Sequence, residues 1–258
     1  MALMHDSDRV WKTFGKTEPY YAVCTNPEFA GDKLSDESRG HFFRSGEDHV
    51  RTLLQIVGQQ LSPDFQPLTA LDFGCGVGRL VIPLAERCER VVGVDVSPAM
   101  LDEARRNCEE RGLKNAEFFE SLDQIKPTDA RFDLVHTFIV LQHIPVRRGM
   151  AILSDLIDRV AEGGVGVLHV TYWRESQLLR KAVNRLRRSV PLVHNFLNVI
   201  QGFPFARPMM QMNNYSLNEI GRMLQQKNCH NVVLRFTKHG NNLGVVFLFK
   251  KEARADFQ

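Results

Sequence analysis

Residues 69–98, TALDFGCGVGRLVIPLAERCERVVGVDVSP, decide the fold of this chain. The apolar run from Thr69 to Phe73 predicts a strand, and three glycines then alternate with other residues before the apolar spacing lengthens to that of a helix. A second β-branched run, from Arg90 to Val94, ends at Asp95. The stretch therefore predicts a β-α-β unit of a parallel sheet, with a glycine loop after its first strand and a carboxylate after its second.

The glycine loop and the carboxylate predict a binding site. Glycines at 74, 76 and 78 allow positive φ and a close approach of the backbone to a ligand. The N–H groups of the loop and the positive end of the next helix favour an anionic group. Asp95, about 20 residues beyond the middle glycine, can accept both hydrogen bonds of a ribose diol. This pattern favours an adenosine-containing cofactor over the alternative of a purely structural β-α-β unit.

The glycine spacing separates two classes of adenosine cofactor. The nicotinamide and flavin fingerprint requires a glycine three positions after its second glycine, where this chain has Arg79. The spacing here is GxGxG, preceded by an acid, and in this respect the chain resembles the class I S-adenosylmethionine-dependent methyltransferases over roughly residues 48–172, with a weaker similarity to about 250. The resemblance implies an α/β, doubly wound, Rossmann-like sheet of seven strands, mostly parallel, with an antiparallel last hairpin. The implied cofactor is S-adenosyl-L-methionine, with S-adenosyl-L-homocysteine as product.

The resemblance also implies roles for individual residues. In that family the glycine loop holds the methionyl part of the cofactor and the first motif begins with an acid at the strand end, which here assigns Gly74, Gly76 and Gly78, together with Asp72, to cofactor binding. Asp95 takes the ribose and Val96 the adenine. Ser97, the next residue, has a local alternative as the N-cap of the following helix.

The adenine contact after the third strand departs from the family pattern. The position where the family usually has an acid holds Ser121, followed by Leu122 and Asp123. We assign the contact to Ser121 and Leu122, with the Asp123 carboxylate as the alternative.

The segment IVLQHIP, residues 139–145, follows the fourth predicted strand and resembles the part of the family fold beside the reactive sulfonium. By this resemblance Leu141 packs on the cofactor, while Gln142 and His143 face the acceptor. His143 is the candidate catalytic base, and its alternative is a histidine that only bonds backbone at the strand end. The segment lacks the Asn/Asp-Pro-Pro-aromatic signature, which argues against a methylase of nucleic-acid bases.

Two segments outside the common scaffold are predicted to select the acceptor. Residues 1–47 form an N-terminal arm or lid rich in aromatic residues, which either covers the site or simply docks the arm on the core. Arg44 and Gly46, near its end, are candidates to reach the carboxylate of the cofactor. Residues 48–258 form the methyltransferase domain, with a helical substrate-side insertion at about 174–214.

The insertion has an unusual charge balance. From Ser176 to Asn218 there is no acidic residue, while six basic residues lie between 176 and 207. An apolar stripe runs at helical spacing opposite these charges. Three interpretations stay open: a solvated helix packed on its domain, a cover for an anionic substrate, and a peripheral membrane face.

Composition favours one globular enzyme in the cytoplasm, with peripheral contact to the inner membrane face through the insertion as a further hypothesis. The chain has 258 residues, 43% hydrophobic and 24% charged, with 33 basic and 30 acidic side chains, and its N-terminus has no apolar signal segment. Five cysteines without a CxxC pair argue against disulfides and against a metal site. The modest charge and the lack of a recognisable module argue against nucleic acid as a partner.

These observations predict a methyltransferase that uses S-adenosylmethionine to methylate a small molecule. The favoured acceptor is an oxygen of a sugar, a phosphorylated compound or a lipid-linked intermediate. Two alternatives remain: a nicotinamide-dependent oxidoreductase that keeps Asp95 on the ribose, and a protein that binds S-adenosylmethionine without catalysis. The oligomeric state has no signal in the sequence.

Overall fold

The computed structural model describes residues 7–31, 34–175 and 210–253. Its helices are α1 (Ser7–Thr17), α2 (Pro19–Val23), α3 (Asp36–Gln60), α4 (Val81–Ala85), α5 (Pro98–Glu109), α6 (Val146–Arg159) and α7 (Leu217–Gln226). Its strands are β1 (Thr69–Phe73), β2 (Arg90–Val94), β3 (Ala116–Phe119), β4 (Phe132–Thr137), β5 (Val160–Arg174), β6 (Asn231–His239) and β7 (Asn242–Lys250). Most of the predicted insertion, with its basic residues, lies outside the described residues.

The seven strands form one sheet in the order β3-β2-β1-β4-β5-β7-β6. Strands β1 to β5 run parallel to one another, and β7 is antiparallel to both β5 and β6. This confirms the predicted doubly wound sheet with a reversed last hairpin. The order of strands reverses between β1 and β4, so the connections that leave these two strands diverge and open a crevice at their carboxyl ends.

Alternation along the strands builds a core on each face of the sheet. In β1, Ala70 packs on one face and Leu71 on the other, and Leu134 and Val135 of β4 divide in the same way. The first face is covered by α1 to α5 and the second by α6 and α7. Since burying one large aliphatic side chain stabilises a fold by about 1.5–3 kcal/mol, both faces hold the sheet rigidly beneath the crevice.

Helix α3 begins earlier than the sequence predicts. The apolar spacing at Val50, Leu53, Leu54 and Val57 predicts a helix over residues 46–60, but α3 starts at Asp36, where Ser35 and Ser38 form a reciprocal capping box. The Ser38 N–H donates to Ser35 Oγ at 3.2 Å, and the Ser35 N–H donates to Ser38 Oγ at 2.8 Å. The end of the arm is therefore continuous with the first helix of the scaffold.

Helices in the described ranges do not combine the length and the apolar character that crossing a lipid bilayer requires.

Candidate active site

A cavity of about 940 Å³ opens at the carboxyl ends of β1, β2 and β4, in the crevice that the topology predicts. The wall under its centre consists of the glycine loop, including Asp72, Gly74, Cys75, Gly76 and Arg79. One end is lined by Asp95, Val96, Ser121, Leu122 and Asp123, and the other by Phe138, Gln142, His143, Met210, Met212, His239 and Asn242. The cavity therefore joins most of the predicted cofactor residues to the predicted acceptor segment.

The glycine loop has the conformation that its sequence predicts. Gly74, Gly76 and Gly78 have φ of 77°, 54° and 85°. A Cβ at Gly74 would lie 2.3 Å from a side-chain carbon of Val140, so the loop and the β4 connection approach too closely for any larger residue. Gly78 points away from the cavity, because a Cβ there would contact Ala104 of α5 at 3.4 Å. Two of the three glycines thus shape the cavity, and the third allows the loop to pack on a helix.

Asp95 is fixed at the end of β2 by two backbone hydrogen bonds. The Gly76 N–H donates to Asp95 Oδ2 at 3.1 Å, and the Ser97 N–H donates to Oδ1 at 2.9 Å. Burial raises the pKa of Asp95 to about 6, and these two hydrogen bonds oppose the rise. Each carboxylate oxygen keeps a lone pair for a ligand in the cavity. The geometry joins the acid directly to the glycine loop.

The adenine end holds the side chains that the sequence assigned there. Val96, Ser121 and Leu122 all line the cavity, as does the alternative contact Asp123. The Asp123 N–H donates to Ser121 Oγ at 3.1 Å, so this hydroxyl also caps a short turn. Ser97 stands at the N-cap of α5, but its side chain makes no capping hydrogen bond, and its buried Oγ has no partner among the described residues. The capping role of the Ser97 side chain is therefore not borne out.

Three other predicted residues lie off the cavity wall. Leu141 is fully buried, and its neighbour Val140 lines the cavity instead. Arg44 is exposed, and Gly46 is buried where α3 crosses the loop: a Cβ there would lie 2.2 Å from the Arg79 carbonyl oxygen. The structure thus does not bring these three residues to the cofactor position, because each points towards solvent or into packing.

Arg79 of the glycine loop lies on the cavity wall, whereas Arg44 and Gly46 of the arm, which the sequence predicted to reach the cofactor carboxylate, do not. Its side chain lines the cavity, its Nη1 donates to Ser45 Oγ at 3.3 Å, and its buried Nε has no hydrogen-bond partner within the described ranges. A buried guanidinium nitrogen without a partner is costly, and an anionic ligand group would satisfy it. Sequence reasoning used Arg79 only to exclude a dinucleotide fingerprint, because one arginine after a glycine loop carries no signal of its own.

His143 lies in a chain of hydrogen bonds at the acceptor end. Its Nδ1–H donates to the Gln211 carbonyl at 2.8 Å, and its Nε2 lies 3.2 Å from Gln142 Nε2. Thr171 Oγ1 donates to Gln142 Oε1 at 2.6 Å, which fixes the amide so that its NH₂ group donates to His143. Burial lowers the pKa of His143 to about 4, although the bond to Gln211 opposes this. The imidazole is therefore neutral near pH 7, with its Nε2 as the acceptor.

Backbone strain marks the turn that precedes this histidine. Ile139 has φ of 60°, a conformation that is rare for a β-branched residue. Its N–H donates to Nδ1 of the buried His169 at 3.3 Å, and the other ring nitrogen of His169 lies 3.0 Å from Thr237 Oγ1. Burial, with the nearby His239 and His136, lowers the pKa of His169 to about 3, so its Nδ1 stays available as an acceptor. The strained turn directs Val140 onto the glycine loop.

The N-terminal arm forms one side of the cavity. Residues of α1 and of the segment after α2 line it, among them Asp8, Trp11 and Val23. The Trp11 ring lies 4.8 Å from the His143 ring, edge to face, and Arg148 of α6 pairs with Asp8 at 2.5 Å. The arm therefore contacts both the acceptor segment and α6.

The residues, the strand order and the glycine loop define a class I methyltransferase fold, and comparison with known proteins agrees. Residues 70–164 match the family described as a methyltransferase domain. The aklanonic acid methyltransferase DauC of Streptomyces sp. (strain C5) is 31% identical over 131 residues, which are 48% of this chain and 58% of that protein. An uncharacterized protein, RP789 of Rickettsia prowazekii, is 28% identical over 168 residues, 63% of this chain and 29% of its own length. The chain thus spans less than two thirds of either relative.

Solved structures share the whole architecture. The magnesium protoporphyrin IX methyltransferase of Synechocystis PCC 6803, with bound S-adenosylhomocysteine, superposes with a TM-score of 0.60 at 17% identity, covering 95% of this chain and 99% of the other. The N-methyltransferase NodS of Bradyrhizobium japonicum WM9 gives 0.57 at 13% identity, covering 96% and 100%. Residues 70–164 thus match a methyltransferase domain, and the chain has the fold of the class I S-adenosylmethionine-dependent methyltransferases.

Proposed function

We propose that this protein transfers a methyl group from S-adenosylmethionine to an oxygen of a small molecule. The observation that carries the proposal is the single cavity in which Asp95 and the glycine loop adjoin Gln142 and His143. When the methyl donor and the acceptor are bound in one cavity, they are held in the geometry that a nucleophilic displacement needs.

The cavity wall fits the three parts of the cofactor. Asp95 accepts from the ribose diol, and Val96 and Leu122 offer apolar surface to the adenine. The unpaired Nε of Arg79 suits the carboxylate of the methionyl part. When bound, the cofactor supplies an electrophilic methyl group on a sulfonium, so this chain has only to position the nucleophile and accommodate its proton.

The acceptor end supports a small ligand with polar groups. Its uncharged polar side chains include Gln142, His143, His239 and Asn242, the charged side chains Asp8 and Arg148 pair with each other, and burial lowers the pKa of His239. The buried Oδ1 of Asn242 has no partner among the described residues, so a donor group on the acceptor would satisfy it. Met210 and Met212 add adaptable apolar surface.

His143 orients the nucleophile rather than acting as a strong base, and it does so by accepting the nucleophile's hydrogen bond at Nε2 in place of the Gln142 amide, since its Nδ1–H donates to the Gln211 carbonyl. With its pKa lowered to about 4, the imidazole holds a proton weakly near neutral pH, so proton removal contributes less than positioning does. This favours an acceptor whose oxygen is already ionised or is readily ionised. The narrower hypothesis of a sugar, phosphorylated or lipid-linked acceptor depends on the basic residues at 176–207, outside the described residues.

The oxidoreductase alternative loses support from the topology. The usual dinucleotide-binding sheet has the order 3-2-1-4-5-6, whereas this sheet ends in an antiparallel pair with β7 between β5 and β6. Together with Arg79 at the third fingerprint position, this favours S-adenosylmethionine over a nicotinamide.

Isothermal titration with S-adenosylhomocysteine tests the proposal. We expect binding with Kd below about 1 mM, and a loss of about 10- to 100-fold in Asp95→Ala, since hydrogen bonds to a charged group contribute about 1.5–3 kcal/mol. Asp102→Ala is the matched control, because Asp102 is an exposed carboxylate on α5 that pairs with Arg105. Absence of binding by the unmodified protein contradicts the proposal.

Turnover separates an enzyme from a silent binder. The protein is incubated with a metabolite extract and S-adenosylmethionine carrying a ¹³C-labelled methyl group. We expect the label to enter a small molecule with the ¹³C chemical shift of a methyl group on oxygen. A shift typical of nitrogen or carbon would refute the choice of atom, and binding without transfer would support the non-catalytic alternative.

A further inference from the structure

Two buried histidines stand behind the acid of the glycine loop. Asp72 lines the cavity at the end of β1, and His136 is its register partner on β4. Nδ1 of His136 lies 2.8 Å from Asp72 Oδ1, and Nε2 of His136 lies 3.2 Å from Nε2 of His49 on α3. Asp72 is 2% and His136 1% exposed. The three side chains form a line from the cavity to α3.

The carboxylate sets the hydrogen-bond roles at one end of this line. Asp72 accepts, so His136 donates from Nδ1, and Nε2 of His136 contacts Nε2 of His49. Burial, with the nearby His136, Arg79 and His169, lowers the pKa of His49 to about 3, so His49 contributes a neutral imidazole to this contact. The Phe138 ring, 4.5 Å from the His49 ring, closes one side of the pair.

This arrangement fixes the direction of the carboxylate. The His136 Nδ1–H donor engages Asp72 Oδ1, so Oδ2 and the remaining lone pair of Oδ1 stay available to a ligand in the cavity. A metal is not the reason for the cluster, because the described residues contain no group of three or more potential ligands in a metal-binding arrangement. The cavity therefore presents an oriented negative group, Asp72, on the same loop as the positive Arg79.

We propose that His136, held by His49, is a positioning residue that fixes the Asp72 carboxylate to receive the α-ammonium group of S-adenosylmethionine. The inference rests on the proposed function, because it assumes that this cofactor occupies the cavity. Asp72 then binds the α-ammonium group and Arg79 the carboxylate of the amino-acid part. The pair of His136 and His49 fixes the orientation of the Asp72 carboxylate.

The test compares two ligands that differ in that part alone. S-Adenosylhomocysteine carries the ammonium group, whereas 5′-methylthioadenosine keeps the adenosine and the sulfur but lacks the amino-acid part. In His136→Leu we expect the Kd of S-adenosylhomocysteine to rise about 10- to 100-fold, and that of methylthioadenosine to change less than about twofold. His136→Asn keeps an N–H donor near the Nδ1 position, so it restores most of the affinity.

A control and a second pair of variants exclude damage to the fold. Thr137→Val, on the same strand, removes a buried hydroxyl that has no partner among the described residues, and should change neither Kd. If His136→Leu does not fold, a comparison of His49→Leu with His49→Gln tests the same three-residue arrangement. We expect the Kd of S-adenosylhomocysteine alone to rise about 3- to 10-fold in His49→Leu relative to His49→Gln.

The outcomes are distinguishable. Equal weakening of both ligands, or no rescue by His136→Asn, overturns the positioning role and leaves the proposed function intact. Binding of neither ligand by the unmodified protein overturns the proposed function itself.

Discussion

Cofactor affinity should depend on pH through Asp95. Burial raises the pKa of this carboxyl from 3.8 to about 6 in the ligand-free protein, against the opposing bonds from Ser97 and Gly76. Only the ionised form can accept hydrogen bonds from both hydroxyls of a ribose without donating one itself. Protonation therefore competes with binding, and affinity should fall as the pH drops through 6.

The pKa sets the magnitude of the effect. With a pKa of about 6, Asp95 is about nine-tenths ionised at pH 7 and about one-tenth ionised at pH 5. The Kd of S-adenosylhomocysteine should therefore rise about tenfold between these two values, which corresponds to about 1.4 kcal/mol.

Isothermal titration at pH 7, 6 and 5, at constant ionic strength, measures this dependence. Asp95→Asn is the control, because an amide has no charge to lose: it should bind more weakly at every pH and lack the tenfold step. A flat profile for the unmodified protein would refute the reasoning, and the same step in Asp95→Asn would assign the titration to another group.

Three further predictions concern the fold and the cavity. Gly74→Ala should lower the free energy of unfolding in denaturant by about 2–5 kcal/mol, because the position has positive φ and the new Cβ would lie 2.3 Å from a Val140 carbon. Gly112→Ala is the control: its φ is 70° but the space around it is open, so it should cost about 1 kcal/mol. Equal losses in the two variants would contradict this account. Tyr215→Phe removes a hydroxyl whose single proton is shared between two backbone carbonyl oxygens, at 2.7 and 2.9 Å, and we expect the free energy of unfolding to fall by about 1–3 kcal/mol; an unchanged denaturation midpoint would refute this. Trp173→Phe removes the exposed indole and leaves Trp11, which lines the cavity, as the one tryptophan of the chain. Bound S-adenosylhomocysteine should then reduce the quenching of Trp11 fluorescence by acrylamide. Unchanged quenching would place the ligand outside the cavity.

The sequence predicts the sheet well because its strands carry local signals. The bounds of β1 and β2 agree with the predicted runs, since the apolar run of β1 ends at Gly74 and the β-branched run of β2 ends at Asp95. The start of α3 was misplaced because the apolar spacing at Val50, Leu53 and Val57 indicates the helix only from about residue 46. Gly46 is instead required where the helix crosses Arg79, and this contact across 33 positions has no local signature.

The residues of the site also divide into those with a local sequence signal and those without one. Asp72, Gly74, Gly76 and Asp95 follow from one contiguous motif, and the structure brings them together. His49 and His136 are missed because their partners lie 87 and 64 positions away, and one sequence cannot reveal such pairs.

The structure places Val140 on the cavity wall, whereas Leu141, which the sequence predicted to pack on the cofactor, is buried in the core. Ile139 takes a positive φ that its side chain disfavours, and this turns Val140 rather than Leu141 towards the cavity. Only tertiary contacts hold such a conformation, so the alternating pattern of the sequence could not indicate it.

A crystal structure with S-adenosylhomocysteine tests the central claim most directly. We predict both ribose hydroxyls within hydrogen-bond distance of the Asp95 carboxylate and the sulfur between Gly74 and His143. A ligand bound outside this cavity, or a ribose bound by another side chain, would contradict the account.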